Sequence, residues 1–154
     1  MSALELFVAV AADVVWCSMA TVDRRNRPRS RVVHPVWWLD GGGLTGVVGV
    51  RPTALKRAHL AHSPYASLSY WSPKHDVAVA ECAARWEEDP LERVAAWERM
   101  KATPPPMGYD PATAWPGGPE AEDWAVLHLE PWRVRAARAE SIAAGAGFEV
   151  WASE

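Results

Sequence analysis

The alternation of apolar and polar residues along the chain predicts mostly strands. A first apolar run at 14–22 leads into the polar turn DRRNRP, and the run RSRVVHPVWWL at 29–39 places its side chains alternately on two faces. Pro35 interrupts this second run and cannot donate a hydrogen bond to a strand ladder, so it predicts an edge or a bulge. Four further strands are predicted at 44–50, 65–71, 77–88 and 124–139.

Helix signals occur in three segments: about 2–10, about 53–62 and 89–102. The third is the best marked, because Asp89 stands at the N-cap position, Pro90 follows it and Lys101 lies in the last turn. Residues 104–123 contain six prolines and three glycines, which predicts a long loop that covers another part of the protein. The tail after Glu140 carries no clear signal.

Six strands in mostly antiparallel order, with two or three helices, predict a mainly β fold that is α+β by helix content. Because the strands do not alternate regularly with helices, a small barrel with peripheral helices fits better than a doubly wound sheet. At 154 residues, 49% apolar and 23% charged, the chain is expected to form a single domain over 1–154.

Composition narrows the classes of partner. A net charge of −3 and a pI of about 6.0 argue against a nucleic-acid-binding domain. Cys17 and Cys82 stand far apart in apolar runs, which predicts buried reduced thiols. The apolar run 6–15 is interrupted by Asp13, lacks a basic leader and is shorter than the roughly 18 residues of a membrane span. We therefore expect a cytoplasmic protein that contacts a small molecule and neither a membrane nor nucleic acid.

Two cations in the first turn of the second predicted helix, Lys56 and Arg57, are unusual because a helix N-terminus favours anions. A phosphate held by both cations and by the free N–H groups of the helix would neutralise this positive charge. Arg31 lies mid-strand among apolar residues on its own face and also predicts an anionic partner. Alternatively, the helix cations extend along the surface and Arg31 pairs with a carboxylate such as Glu81 or Glu87. The residues alone leave both interpretations open.

The histidines are weaker candidates for functional residues than the cations. His34, on the second strand, is a candidate proton donor or substrate contact, although a strand histidine more often serves packing. His59, His62 and His75 together suggest a metal, but no acid or cysteine stands at matching spacing, so no metal site is predicted.

The order of motifs resembles a known family. The strand and turn in ATVDRRNRPRSRVVHPVWW, a glycine-rich strand and the helix region RPTALKRAHLAHSPYASLSY are similar to the pyridoxamine 5′-phosphate oxidase-like, FMN-binding split barrels. The resemblance covers residues 14–90 and, loosely, the strand LEPWRVR. It implies a six-stranded antiparallel split β-barrel with peripheral helices. It also implies a homodimer with the cofactor at the subunit interface.

The resemblance further implies a set of FMN-binding residues on three elements: Arg31, Val33, His34, Gly49, Val50, Lys56 and Arg57. Arg31 and Lys56 correspond to contacts of the flavin phosphate, with Arg57 as a second contact from the helix. The backbone at Val33 and His34 corresponds to the edge of the isoalloxazine ring. The end of the third strand approaches the ribityl chain and the phosphate.

Two departures from the family pattern shape the functional hypothesis. Ala54 and Leu55 replace a Ser or Thr and an Arg that many flavin-binding relatives carry, and WRVRAAR lacks the histidine of a substrate-binding Arg-x-His element. Vitamin B6 oxidation is therefore not assigned. The leading hypothesis is an FMN-dependent oxidoreductase acting on a small molecule, in which the flavin supplies the chemistry. The alternatives are a reductase using the deazaflavin coenzyme F-420 and a non-catalytic flavin- or haem-binding protein.

Overall fold

A computed structural model of the chain describes residues 1–53 and 57–154, together with the helical backbone that joins them. The helices are α1 (Ala3–Val14), α2 (Ala54–His62), α3 (Pro90–Ala102) and α4 (Ala139–Ala143). The strands are β1 (Cys17–Val22), β2 (Pro28–Val33), β3 (Val36–Asp40), β4 (Gly43–Val50), β5 (Tyr65–Trp71), β6 (Val77–Trp86), β7 (Ala125–Ala137) and β8 (Glu149–Ala152).

The sheet curls into an open barrel. Its strands are hydrogen-bonded in the order β2-β1-β5-β6-β7-β4-β3, β8 pairs with β7, and the pairs are antiparallel. β2 and β3 lie at opposite ends of this order, yet only His34 and Pro35 separate them along the chain. Three residue steps span at most about 11 Å, so the two ends of the sheet come close together. The result is a barrel that is split between β2 and β3.

The mainly antiparallel β architecture is confirmed, but the predicted number of six strands is wrong, since the described residues form an eight-stranded sheet. The run 29–39 is two strands, because the chain passes at Pro35 from one end of the sheet to the other. The second additional strand, β8, lies in the tail for which the pattern gave no signal. In addition, α1 continues to Val14, four residues beyond its predicted end, and so β1 begins later than expected.

The core lies inside the barrel and under α1. Phe7 packs edge-on against Trp37 and Tyr70, with ring centroids 5.0 Å and 5.8 Å apart. Trp37 Nε1 donates a 2.8 Å hydrogen bond to the Tyr70 hydroxyl. Cys17 and Cys82 are buried and reduced, as predicted, and burial raises the pKa of the Cys17 thiol to about 12. These thiols therefore serve packing, because reactivity requires the thiolate.

The third helix begins as predicted. The Asp89 carboxylate accepts a 2.9 Å hydrogen bond from the Leu91 N–H, and Pro90 is the first helical residue. After this helix the proline-rich segment 104–123 leads to β7, and its Trp115 lies close to Gly49 of β4. In the described part of the chain, no helix combines the length and the apolar character that crossing a bilayer requires.

Candidate functional site

Arg31 projects from β2 toward α2 and is held by neutral acceptors. Its Nη1 donates to the carbonyl oxygens of Met19 (3.1 Å) and Arg29 (3.2 Å), and its Nη2 lies 3.5 Å from His59 Nδ1. Partial burial, followed by the charge of Arg29, lowers the pKa of the Arg31 guanidinium. The cation is therefore oriented by the protein without being neutralised by these contacts.

No carboxylate pairs with Arg31 among the described residues. Glu81 lies 3.2 Å from Arg133, and Glu87 lies 2.7 Å from Arg85. Both acids that were weighed as partners of Arg31 are thus bound to other arginines. The pairing of Arg31 with Glu81 or Glu87 is therefore wrong, and the phosphate contact of Arg31 stays a prediction.

His59 on α2 completes the surroundings of Arg31. The side chain is only 2% exposed, its Nδ1 lies 3.2 Å from Thr21 Oγ1, and its Nε2 is buried without a hydrogen-bond partner among the described residues. Burial and the charges of Arg31 and Arg29 lower the pKa of the imidazole. Sequence reasoning considered His59 only as a metal ligand or surface residue, because packing of α2 on β1 is not visible in the sequence.

Arg57 points to a different part of the molecule. Its Nη1 lies 3.5 Å from Glu88 Oε1, and its guanidinium stands 4.8 Å above the ring of Trp86. Positions 57 and 59 are about 200° apart around an α-helix, so they face opposite sides. The structure therefore does not bring Arg57 to Arg31. Lys56 lies outside the described residues, and its phosphate contact stays a prediction.

A cavity of about 370 Å³ opens beside the end of β2. Three of the predicted site residues line it from the sheet, and aromatic residues of the α1–β1 connection and the proline-rich loop line it elsewhere: Val33, His34, Gly49, Trp16, Tyr109 and Trp115. The lining of the cavity is mostly apolar, which suits a planar ring. The aromatic residues of the loop were not predicted as site residues, because they lie about 75 residues from His34 in the chain.

His34 connects β2 to the loop. Its Nε2 lies 2.7 Å from the Met107 carbonyl oxygen, and its ring stacks on Tyr109 with centroids 4.4 Å apart. A carbonyl only accepts, so Nε2 carries the proton of this bond. Burial lowers the pKa of His34, so the neutral ring has Nδ1 as an acceptor. In this geometry His34 contributes a hydrogen-bond acceptor at Nδ1, and its role as proton donor or substrate contact stays a prediction.

Gly49 forms part of the cavity wall, and a tryptophan fills the space that a side chain would take at this position. A Cβ at this position would lie 2.7 Å from Trp124 Nε1 and 3.5 Å from Trp115 Cζ3. Both indole N–H groups are buried without a hydrogen-bond partner among the described residues. The neighbouring Val50 buries its side chain in the core, so only its backbone is available to a ligand. The glycine therefore allows the close approach of the Trp124 indole to the backbone of β4.

Comparisons with solved structures identify the architecture of the chain, whereas comparisons of sequence do not. Neither a protein-family model nor a curated protein sequence matches the chain. A protein from Clostridium acetobutylicum that is related to general stress protein 26 of B. subtilis, of the pyridoxinephosphate oxidase family, superimposes with a TM-score of 0.71. Its identity is 10%, over 94% of this chain and 89% of that one. A pyridoxamine 5′-phosphate oxidase-related, FMN-binding protein from Nostoc punctiforme gives a TM-score of 0.62 at 14% identity, over 99% and 93%.

The chain has the pyridoxamine 5′-phosphate oxidase-like split-barrel fold.

This split-barrel fold confirms the family resemblance at the level of architecture. A haem-binding protein from Mycobacterium smegmatis shares it, with a TM-score of 0.71 and 22% identity over 99% of this chain. The chain spans 58% of that protein. Within the split barrel, Arg31 and the aromatic cavity lie along β2, next to the split between β2 and β3.

Proposed function

We propose that this split barrel binds FMN and acts as an FMN-dependent oxidoreductase on a small molecule. The observation that carries the proposal is Arg31, an oriented cation without a carboxylate partner in the described chain, on the same face of β2 as the cavity residue Val33. Two residues of strand span roughly 7 Å. A phosphate at Arg31 and a ring in the cavity would then be separated by a distance that a ribityl chain can cover.

The residues present fit each part of FMN. Arg31 would hold the phosphate by charge-assisted hydrogen bonds, next to the buried Nε2 of His59. The mostly apolar cavity lined by Val33, His34 and Tyr109 suits the planar isoalloxazine ring, and the backbone of Gly49 forms part of its wall. When bound, FMN supplies hydride transfer. The protein's part is to orient the ring and to exclude water with the aromatic side chains of the loop.

The test compares FMN with riboflavin, which lacks the phosphate. Wild-type protein should bind FMN about tenfold or more tightly than riboflavin, measured by quenching of flavin fluorescence. Arg31→Gln should abolish this preference and leave the riboflavin affinity nearly unchanged. Arg133→Gln, which removes a cation paired with Glu81 on the other side of the sheet, should keep the preference. A preference for FMN that survives Arg31→Gln would contradict the proposed phosphate site.

Parallel titrations separate the alternatives. Coenzyme F-420 binding that depends on Arg31, without FMN binding, would indicate the deazaflavin-dependent reductase. Haem binding without either flavin would indicate a haem-binding protein. Flavin binding without reduction by a nicotinamide or reoxidation by oxygen would indicate a non-catalytic flavin-binding protein.

We also propose a homodimer with the cofactor at the subunit interface, because Trp16 lines the cavity while 58% of its surface is exposed.

A further inference from the structure

A cavity of about 230 Å³ lies between helix α3 and the strands β3, β4 and β7. It is separate from the cavity at Gly49 that is proposed for the flavin ring, because the two have no lining residue in common. The buried side chains of Val47 and Val126 form its apolar floor, and Ala95 and Ala96 line it from the helix. Its volume lies below the roughly 300–1,000 Å³ of sites for drug-sized ligands, so it suits a smaller molecule.

His128 on β7 and Glu92 on α3 form an end of the cavity that is rich in hydrogen-bond acceptors. The Nδ1 atom of His128 is buried without a hydrogen-bond partner among the described residues. Burial, followed by the charge of Arg85, lowers the pKa of His128. Its neutral ring, with the proton on Nε2, presents Nδ1 as an acceptor. Glu87 is bound to Arg85 at 2.7 Å, whereas Glu92 belongs to none of the salt bridges of the described residues.

Arg99 supplies a cation to the same cavity from further along α3. Its guanidinium stands 4.4 Å from the centroid of the Trp38 ring, and no salt bridge of the described residues includes it. Arg99 follows Glu92 by nearly two helical turns, about 10 Å along the axis, so the two charges share one side of α3. Asp40, at the end of β3, also lines the cavity and is not paired with Arg99. The two alanines of the lining lie between Glu92 and Arg99 on the helix.

We propose that this cavity binds a small zwitterion whose ammonium and carboxylate groups are separated by a short apolar chain, as in an ω-amino acid. The ammonium group donates to the Glu92 carboxylate and to His128 Nδ1. The carboxylate accepts paired hydrogen bonds from Arg99, whose N–H groups lie in the guanidinium plane and stay available when that plane stacks on an indole. The apolar chain between them covers the alanines and the valine floor. A ligand with a single charge satisfies only one end.

Titration of the isotope-labelled full chain, followed by the NMR shifts of its backbone amides, tests this proposal without a flavin. The probes are δ-aminovalerate, its single-charge analogues pentylamine and valerate, and its isomer norvaline, which carries both charges on one carbon. The wild type should bind δ-aminovalerate about tenfold or more tightly than each of the other three, because hydrogen bonds between charged groups form at both ends. The shifts should be largest at residues 92–99 and 126–128.

Variants of α3 assign the two ends of the cavity. Arg99→Gln should bind δ-aminovalerate no more tightly than pentylamine, and Glu92→Gln should weaken the binding of both amines. Lys101→Gln and Glu98→Gln remove the same charges at exposed positions of α3 outside the cavity and should change neither affinity. The dispersion of the amide signals reports that each variant is folded.

Equal affinities of the wild type for δ-aminovalerate and pentylamine, or a preference that survives Arg99→Gln, would overturn the proposal. Norvaline binding as tightly as δ-aminovalerate would also contradict it, because the separation of the two charges would then be irrelevant. So would shifts that appear only outside the cavity, or no shifts with any probe. Arg31→Gln should leave the binding of δ-aminovalerate unchanged, so failure of the FMN proposal is observed separately.

Discussion

Two glycines of β4 differ in the space that a methyl group would find. At Gly49 a Cβ would meet Trp124 Nε1 at 2.7 Å, whereas at Gly43 the nearest atom is the Asp40 carbonyl oxygen at 3.5 Å. Trp124 cannot move easily, because Trp97 packs edge-on against it with centroids 5.1 Å apart. The family resemblance singled out Gly49, but its partners come from a distant loop and could not be predicted from the sequence.

Gly49→Ala should therefore destabilise the protein and narrow the cavity. Displacing a buried indole is expected to lower the free energy of unfolding by about 1–3 kcal/mol. Gly43→Ala, on the same strand with ordinary contact distances, should stay within about 0.5 kcal/mol of the wild type. Urea unfolding followed by tryptophan fluorescence measures both. Equal stabilities of the two variants would show that the cavity wall yields to the added methyl group.

Asp23 makes the stability of the β1–β2 turn dependent on pH. The backbone N–H of Arg27, the N–H of Arg25 and the Arg27 side chain hold the pKa of the carboxyl at about 2. An aspartate in the unfolded chain titrates near 3.9, so the folded state is favoured while the group is ionised. The stabilisation is complete above about pH 5 and is lost as the pH falls toward 2.

The difference in unfolding free energy between the wild type and Asp23→Asn should accordingly be constant from pH 7 to about 5 and shrink between about pH 4 and 2. Urea unfolding at a series of pH values gives this difference directly. Asp110→Asn serves as a control, because Asp110 is an exposed carboxylate of the proline-rich loop, outside the turn. A difference that does not change with pH would mean that Asp23 stabilises the turn equally well whether its carboxyl is ionised or protonated.

At the scale of elements, periodicity and caps located the strands and helices but not their neighbours. Alternation assigns side chains to two faces of a strand, and it does not say which strand lies alongside. For that reason Pro35 was recognised as an interruption, whereas the passage from β2 to β3 across the split was not predicted. The same limit applies to α2: the sequence placed Arg57 near a phosphate, while packing turned its side chain toward Glu88.

The proline-rich loop depends on one arginine of α3. Arg93 Nη2 donates to the carbonyl oxygens of Pro119 (3.0 Å), Ala121 (3.3 Å) and Trp124 (2.7 Å). The guanidinium also stands 5.1 Å from the centroid of the Trp124 ring. One side chain thus fixes the end of the loop that returns to β7.

Arg93→Lys should loosen the loop while the barrel stays folded, because a single ammonium group cannot reproduce the planar set of donors. We expect the free energy of local opening to fall by about 1–3 kcal/mol over residues 107–122. Amide hydrogen exchange followed by mass spectrometry measures this segment against the strands. Lys101→Ala, an exposed position on the same helix, should leave the exchange of the loop unchanged. Equal protection in both variants would show that the aromatic contacts alone hold the loop.

On the scale of the whole molecule, the sequence predicted the class of fold because strand content and motif order are distributed along the entire chain. The arrangement of subunits has no such signal. β2 is an end strand of the sheet, and Val32 on this strand is 67% exposed. Trp16 is exposed at the mouth of the cavity nearby. The exposed side chains of Val32 and Trp16, beside the proposed cofactor site, form the surface that we expect a second copy to cover.

Val32→Glu should therefore weaken the dimer and the binding of FMN together, since an unpaired carboxylate at the subunit interface would have to be desolvated. Sedimentation velocity gives the oligomeric state, and flavin fluorescence gives the affinity of the same samples. Val150→Glu introduces the same charge at an exposed valine of β8 and should change neither. A wild-type monomer would contradict the predicted dimer. A monomeric Val32→Glu variant that binds FMN normally would place the whole cofactor site within one chain, and the role of Trp16 would then be to cover the ring from its own subunit.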